Sequence, residues 1–234
     1  MLISHRHRFI YTKTIKTAGT SVEIYFEEAC IPPGSDIVRG HGIAETVTEA
    51  GVIGYRGVDP GESRWYNHLP ASNIRELAGP EIWDSYFKFC VIRNPFDKLV
   101  SLWWAIIGAN ERYAEIIRDF SSIKAEFASW CVEAAANAVD RDKYLIDGQV
   151  AVDDFIRYES LMADLERVCI RIGYPFRPAR LGQYKSGLRL SARPSVEYYD
   201  ELAAQAVYDA FRWELDYFGY TGPSEDCQQA IVDP

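Results

Sequence analysis

The sequence predicts an α/β fold around a parallel sheet, in one domain spanning residues 1–234. Three observations carry that expectation. Runs rich in aromatic and β-branched residues, "FIY" at 9–11, "YFKFCVI" at 86–92 and "VAVDDFIRY" at 150–158, alternate with longer segments of helical character, the order that a parallel sheet with crossover helices requires. At 234 residues the chain is long enough for one sizeable core. Its 48% hydrophobic and 25% charged residues match an ordinary globular protein, and it has no internal repeat or low-complexity segment.

Taken in order, "FIY" reads as the first strand and "SVEIYFEEAC" (21–30) as the helix after it. The segment from "IPPGS" to "VDPGESRW" is rich in turn residues and carries no clear element. "PASNIRELAG" (70–79) has a helix start at Pro70 with Ser72 as a candidate N-cap, and a stop at Gly79. The run 86–92 is a buried strand, and the turn "RNP" launches a helix through "FDKLVSLWWAII", with Pro95 suited to its first turn. Residues 111–138 read as helix in two pieces around "DFSSIK". The strand at 150–158 leads into the amphipathic helix "ESLMADLERVCIRIGY" (159–174), and residues 177–193 form a basic loop. "SVEYYDELAAQAVYDAFRWELDYF" (195–218) reads as one long helix ended by Gly219.

Composition narrows the function classes. A formal charge of −9 argues against general nucleic-acid binding, which needs a basic face. Five scattered cysteines without a CxxC or Cys/His cluster suggest neither a disulfide framework nor a zinc site, so buried reduced thiols are expected. There is no apolar run of about 18 residues, and "MLISHRHRFIYTK" lacks an apolar signal core. The chain as given therefore reads as cytoplasmic, or as a soluble piece of something longer. The acids are unevenly spread: residues 1–22 and 167–196 contain no Asp or Glu but carry Arg6, Arg8, Lys13 and Lys16, and seven basic residues from Arg167 to Arg193. Such segments in an acidic protein suit a focused site for a small polyanion, or are simply solvated basic surface.

Ligands of parallel α/β sheets gather at the carboxyl ends of the strands, and three junctions there carry suggestive chemistry. "KTAGTS" (16–21) passes from strand to helix, offering the amides and partial positive charge of a helix N-terminus together with Lys16, Gly19 and the hydroxyls of Thr20 and Ser21. A plain Ser/Thr N-cap is the alternative. The loop is not GxxxxGK[ST], because its lysine precedes the glycine, and no strand ends in a magnesium-binding Asp, which counts against a kinase. "CVIRNPFDKLVS" places Arg93 at a strand end and Ser101 eight residues on, a fork and a hydroxyl for phosphate oxygens; a pairing of Arg93 with Asp97 is the alternative. The third is the acid-free loop "RPARLGQYKSGLRLSARP", long enough to cover a ligand.

Together these stretches resemble the sulfotransferases that use 3′-phosphoadenosine 5′-phosphosulfate (PAPS). Lys16-Thr17-Ala18-Gly19-Thr20-Ser21 is similar to their 5′-phosphosulfate loop, and Arg93-Asn94-Pro95 through Ser101 to their 3′-phosphate motif. "RYESLMADLERVCIRIGYP" resembles their "RYEDL" strand-helix, and "YYDELAAQAVYDAFRWELDYFGY" their closing helix. The likeness runs from residue 9 to 220 and is nearest to the carbohydrate sulfotransferases, including the uronosyl 2-O type. Ile15 replaces the usual proline and Asn94 the commoner Asp; neither change removes a ligand-contacting charge.

The resemblance implies a P-loop-like three-layer fold and transfer of a sulfuryl group from PAPS to an acceptor, leaving adenosine 3′,5′-bisphosphate (PAP), without metal. Lys16 would sit at the bridging oxygen, with Thr17, Ala18, Gly19, Thr20 and Ser21 forming the cradle. Arg93 and Ser101 would hold the 3′-phosphate, and Lys185, Ser186 and Arg189 would close over the nucleotide. In the 2-O branch a histidine upstream of the arginine-bearing strand is the base, which points to His68 in "RWYNHLPAS" ahead of His41 in "RGHGIAE". His5 and His7, before the first strand, read as solvated. Trp65 and Tyr66 offer rings for a sugar, or pack in the core. The expected partner is a small-molecule or carbohydrate acceptor. A nucleotide kinase and an inactive nucleotide-binding module are the alternatives.

Overall fold

The structure is a computed structural model and describes residues 1–35, 43–108, 119–182 and 193–223. The described strands are Leu2–Ser4 (β1), Phe9–Thr12 (β2), Thr46–Thr48 (β3), Gly51–Ile53 (β4), Phe87–Ile92 (β5), Leu145–Ile146 (β6), Gln149–Val150 (β7) and Asp154–Arg157 (β8). Six of them form one sheet in the order β3-β4-β1-β2-β5-β8, and β6 and β7 make a separate ribbon. The centre is parallel, as expected: β2 pairs with β5, and β5 with β8. Beyond β2 the sheet continues antiparallel through β1, β4 and β3.

Side-chain alternation along the strands builds the layers. Phe9 and Tyr11 of β2, with Phe89 and Val91 of β5, face a core that includes Val22, Tyr25 and Phe26 of helix Gly19–Phe26 (α1). Ile10, Ile3 and Val52 point the other way, onto Ala71, Ile74 and Trp83 of helix Ala71–Ser85 (α2). Helices therefore cover both faces, giving the three-layer α/β arrangement. Helix Leu161–Arg171 adds Leu165, Val168 and Cys169 to the α1 side. Its buried residues recur at i, i+4, i+7 and i+8, the spacing of an amphipathic helix.

By packing, the chain divides into two compact units, Met1–Ile92 with Asp140–Tyr184, and Arg93–Val139 with Lys185–Pro234. The first holds the six-stranded sheet. The second is built from helices Pro95–Gly108 (α3), Phe120–Ala134 (α4), Glu201–Ala210 (α6, with Leu161–Arg171 as α5) and Arg212–Phe218 (α7). Phe96, Leu99, Val100, Trp103, Trp104 and Ile107 form a stripe on α3 that meets Phe127, Tyr198 and Val207. Two polar ring atoms in this core are satisfied: Trp104 Nε1 donates to Tyr198 Oη at 3.0 Å, and Tyr199 Oη donates to Phe96 O at 2.8 Å.

Several boundaries differ from expectation. The first strand is β1, not "FIY", so His5 and His7 lie in a hairpin turn and are half-buried rather than solvated. His5 Nδ1 meets Tyr86 Oη at 2.9 Å, and His7 Nδ1 meets Ile172 O at 3.2 Å. The turn-rich stretch hides β3 and β4, three residues each and too short to show a period. The helix expected over 21–30 is α1 followed by a 3₁₀ turn, Glu27–Cys30. Pro70 rather than Ser72 precedes α2, and helix resumes at Pro80 beyond the left-handed break at Gly79. The strand expected over 150–158 begins only at Asp154. The long closing helix is broken, with a 3₁₀ turn at Ser195–Tyr198, Asp200 capping α6 through Ala203 N, and Phe211 between α6 and α7; Gly219 ends α7 in the left-handed conformation. Cys30, Cys90, Cys131 and Cys169 are buried free thiols.

A buried charge cluster ties α1 to the sheet. Glu23, 0% exposed, accepts from the Met1 ammonium at 2.8 Å, Lys13 Nζ at 2.6 Å and Arg56 Nε at 2.8 Å, while Arg56 Nη2 donates to Glu27. Burial alone would raise the Glu23 pKa, but the three cations hold it well below the usual carboxylate range. Removing one partner of such a cluster leaves buried charge uncompensated. Glu23→Gln is expected to destabilise the fold by about 3–5 kcal/mol in denaturant unfolding; a loss under about 1 kcal/mol would show that the cluster does not anchor α1.

Candidate active site

The segment between β2 and α1 is held in an unusual backbone conformation. Lys16 (φ 59°) and Ala18 (φ 61°) are both left-handed, which costs an L-residue roughly 1–2 kcal/mol each. Such strain persists only where surroundings impose it. Three bonds do so. The Thr14 hydroxyl donates to Val91 O of β5 and lies 2.8 Å from Thr17 Oγ1. Ile15 N–H donates to Asp140 Oδ2 at 2.7 Å. Lys13 O accepts from the His68 ring at 3.0 Å. Gly19 fits because its α-carbon lies close to other groups: an added Cβ would stand 3.1 Å from Lys13 Cγ and 3.2 Å from both Thr14 O and Tyr11 Oη.

The first bond of the α1 ladder is Val22 N–H to Ala18 O, at 3.2 Å. The amides of Gly19, Thr20 and Ser21 precede that bond, at the positive end of the helix. The N-cap is Ala18, with no side-chain cap bond, so the plain Ser/Thr cap does not describe this terminus. Lys16 is half-buried, and Thr17 turns its hydroxyl inward to Thr14. Lys13 is only 3% exposed and is engaged by Glu23 and by Asn67 Oδ1 at 3.2 Å. The two lysines thus divide their work: Lys13 belongs to the interior and Lys16 to the loop.

His68 arrives on the segment Trp65–Asn67, which pairs with Tyr55 through Tyr55 N–Trp65 O at 2.7 Å and Asn67 N–Tyr55 O at 2.8 Å. Its own backbone is left-handed (φ 59°). A carbonyl can only accept, so the bond to Lys13 O fixes the proton on Nδ1 and makes Nε2 the basic nitrogen. Burial, then the Lys13 and Met1 ammonium groups, lower the pKa from 6.5 to about 4, against opposing contributions from the Lys13 O bond and Asp140. His68 is therefore neutral at physiological pH. Trp65, at 8% exposure, packs in the core with Met1, Ile3 and Leu69, and Tyr66 is half-buried against the same cluster.

The lowered pKa has a stability consequence. Between pH 6.5 and about 4 the unfolded chain binds a proton at His68 that the folded chain refuses, so stability falls as pH falls through that window. The size is on the order of 3 kcal/mol. Glu23 adds a further loss at still lower pH, where its depressed pKa is approached. Denaturation midpoints measured from pH 7 to 4 are expected to decline steadily, and His68→Gln to flatten the decline. An unchanged slope in His68→Gln would assign it to other groups.

In the second unit, Arg93 (9% exposed) directly follows β5 and Ser101 is half-buried on α3. Asn94 links them to the rest of that unit: its Oδ1 accepts from Phe96 N–H at 3.0 Å and its Nδ2 donates to Gly222 O at 2.8 Å. The second bond needs an amide, which gives a physical reason for Asn where the resembled motif more often has Asp. His41, Lys185, Ser186 and Arg189 lie outside the described residues. Among the described residues no group of three His, Cys, Asp or Glu side chains could hold a metal, and no helix is long and apolar enough to cross a membrane.

The sulfotransferase family profile matches residues 1–159, which take in the lysine loop, His68, Arg93 and Ser101. The chain belongs to the sulfotransferase family. An uncharacterized protein of Archaeoglobus fulgidus is 30% identical over 107 residues, 46% of this chain and 84% of that protein. No solved structure matches significantly. The structure adds two groups that the sequence did not single out, Asp140 and Asn67. Both sit on loops far along the chain from the residues they touch, and neither belongs to a local motif. A buried acid in "NAVDRDK" carries no mark in the sequence of its bond to Ile15.

Proposed function

We propose that the protein transfers the sulfuryl group of PAPS to a hydroxyl of a carbohydrate acceptor, residues 1–234 forming a single sulfotransferase domain. The observation that carries this reading is the hydrogen bond from His68 to Lys13 O, which sets a neutral imidazole of defined tautomer at the root of a left-handed lysine loop opening a helix. An anion site and a base share one short stretch of structure.

Lys16, the amides of Thr17, Ala18, Gly19, Thr20 and Ser21, and the Thr20 and Ser21 hydroxyls take the 5′-phosphosulfate. Arg93 and Ser101 take the 3′-phosphate, and Lys185, Ser186 and Arg189 the far side of the nucleotide. The acceptor oxygen attacks sulfur, the bond from sulfur to the bridging phosphate oxygen breaks, and the acceptor proton passes to His68 Nε2. The departing phosphate gains a negative charge, which Lys16 and the helix end meet. His68, with a pKa of about 4, is a weak base in the ligand-free protein. A polyanion at the loop offsets the Lys13 and Met1 charges that depress it, raising its basicity when donor is present. Tyr66 contacts the acceptor, and His41 remains a second candidate base.

The test is label transfer. With isotopically labelled PAPS, EDTA and a panel of uronic-acid-containing and neutral oligosaccharides, labelled sulfate is expected on at least one glycan. Label recovered only as free sulfate or unreacted donor across the panel would contradict this reading.

A further inference from the structure

Asp140 is 4% exposed and lies beside the lysine loop, and a carboxylate is electrostatically unwelcome at an anion site. It therefore needs a reason to be there, and its contacts supply one. The Asp140 carbonyl accepts from Lys143 N–H at 3.0 Å, opening the 3₁₀ turn Arg141–Lys143 and fixing the residue's own backbone. Its Oδ2 then accepts Ile15 N–H at 2.7 Å, a short charge-assisted bond to the residue just before left-handed Lys16. Lys13 O is held by His68 on the other side of Thr14. The peptide groups flanking Thr14 are thus gripped from two directions, one by an imidazole and one by a carboxylate.

We propose that Asp140 is a positioning residue for the lysine loop, its carboxylate holding the Thr14–Ile15 peptide so that Lys16 and the amides behind it face the bound anion. The inference rests on the reading of that loop as the donor site. Asp140 acts through Ile15 and touches no reacting atom. Its charge has a second effect: the Lys13 and Met1 ammonium groups oppose protonation of His68 while Asp140 favours it.

Two substitutions separate bond from charge. Asp140→Asn keeps an oxygen able to accept Ile15 N–H, whereas Asp140→Ala removes both. PAP affinity is expected to fall about 10- to 100-fold in Asp140→Ala, the worth of a hydrogen bond to a charged group, and by less than about threefold in Asp140→Asn. Ile15 amide exchange is expected to accelerate only in Asp140→Ala. The His68 NMR titration midpoint is expected to fall in both variants, a response that loss of packing alone would not give. Asp140→Ser, whose hydroxyl is too short to reach, replaces Asp140→Ala if the latter does not fold. Unchanged affinity in Asp140→Ala, or equal losses in the Asn and Ala variants, would overturn the proposal. If the wild-type protein fails to bind PAP, the donor-site reading falls, while Ile15 exchange and His68 titration still decide what Asp140 does to the loop.

Discussion

Lys16→Ala is expected to lower sulfuryl transfer by about 100- to 1,000-fold, the range seen when one preorganised donor to a developing anion is removed. Lys16 sits in the left-handed conformation between Ile15, bonded to Asp140, and Thr17, bonded to Thr14. The loop therefore keeps its shape when the side chain is shortened, and the loss should appear in turnover and PAP affinity rather than in unfolding. Lys13→Ala provides the contrast. That ammonium is buried against Glu23, so its removal is expected to act on stability first. A Lys16→Ala protein that turns over normally, or that unfolds as readily as Lys13→Ala, would show that the two lysines have been assigned the wrong roles.

His68→Ala is expected to lose about 100- to 10,000-fold in turnover, the span attributed to general acid–base catalysis, beyond a weakening of PAP binding as the grip on Lys13 O is lost. The His68 ring donates to Lys13 O, and loss of that bond should cost about 1 kcal/mol of stability. The larger effect should therefore fall on kcat, with a smaller rise in KM for the donor. A linked expectation concerns its titration: the His68 midpoint, about 4 in the ligand-free protein, should rise on addition of PAP because the nucleotide's negative charge counters the Lys13 and Met1 ammonium groups. A midpoint that stays put, with normal turnover in His68→Ala, would remove the imidazole from the chemistry and shift attention to His41.

What the sequence made legible follows from what is local. The parallel centre of the sheet was visible because "FIY" and "YFKFCVI" are apolar runs bounded by polar turns, and the α3 stripe because Phe96 to Ile107 repeat at helical spacing. The loop from Lys16 to Ser21 was visible because a lysine, a glycine and two hydroxyls stand at a strand-to-helix passage. By contrast, β1, β3 and β4 have three residues each, too few for a period, and owe their strand form to pairing with distant chain. The breaks in the closing segment at Tyr199–Asp200 and Phe211 were hidden because its apolar residues keep helical spacing across them. Trp65 looked as suitable for a sugar as for a core, and only burial separates the two. Asp140 and the Glu23 cluster depend on approaches across the fold that no run of residues announces.

Calorimetric titration of PAP into the protein in EDTA tests the donor site most directly. One-to-one binding that Lys16→Ala abolishes or severely weakens, and that magnesium does not strengthen, is the predicted result. No binding of PAP, or binding of ATP that appears only with magnesium, would contradict it.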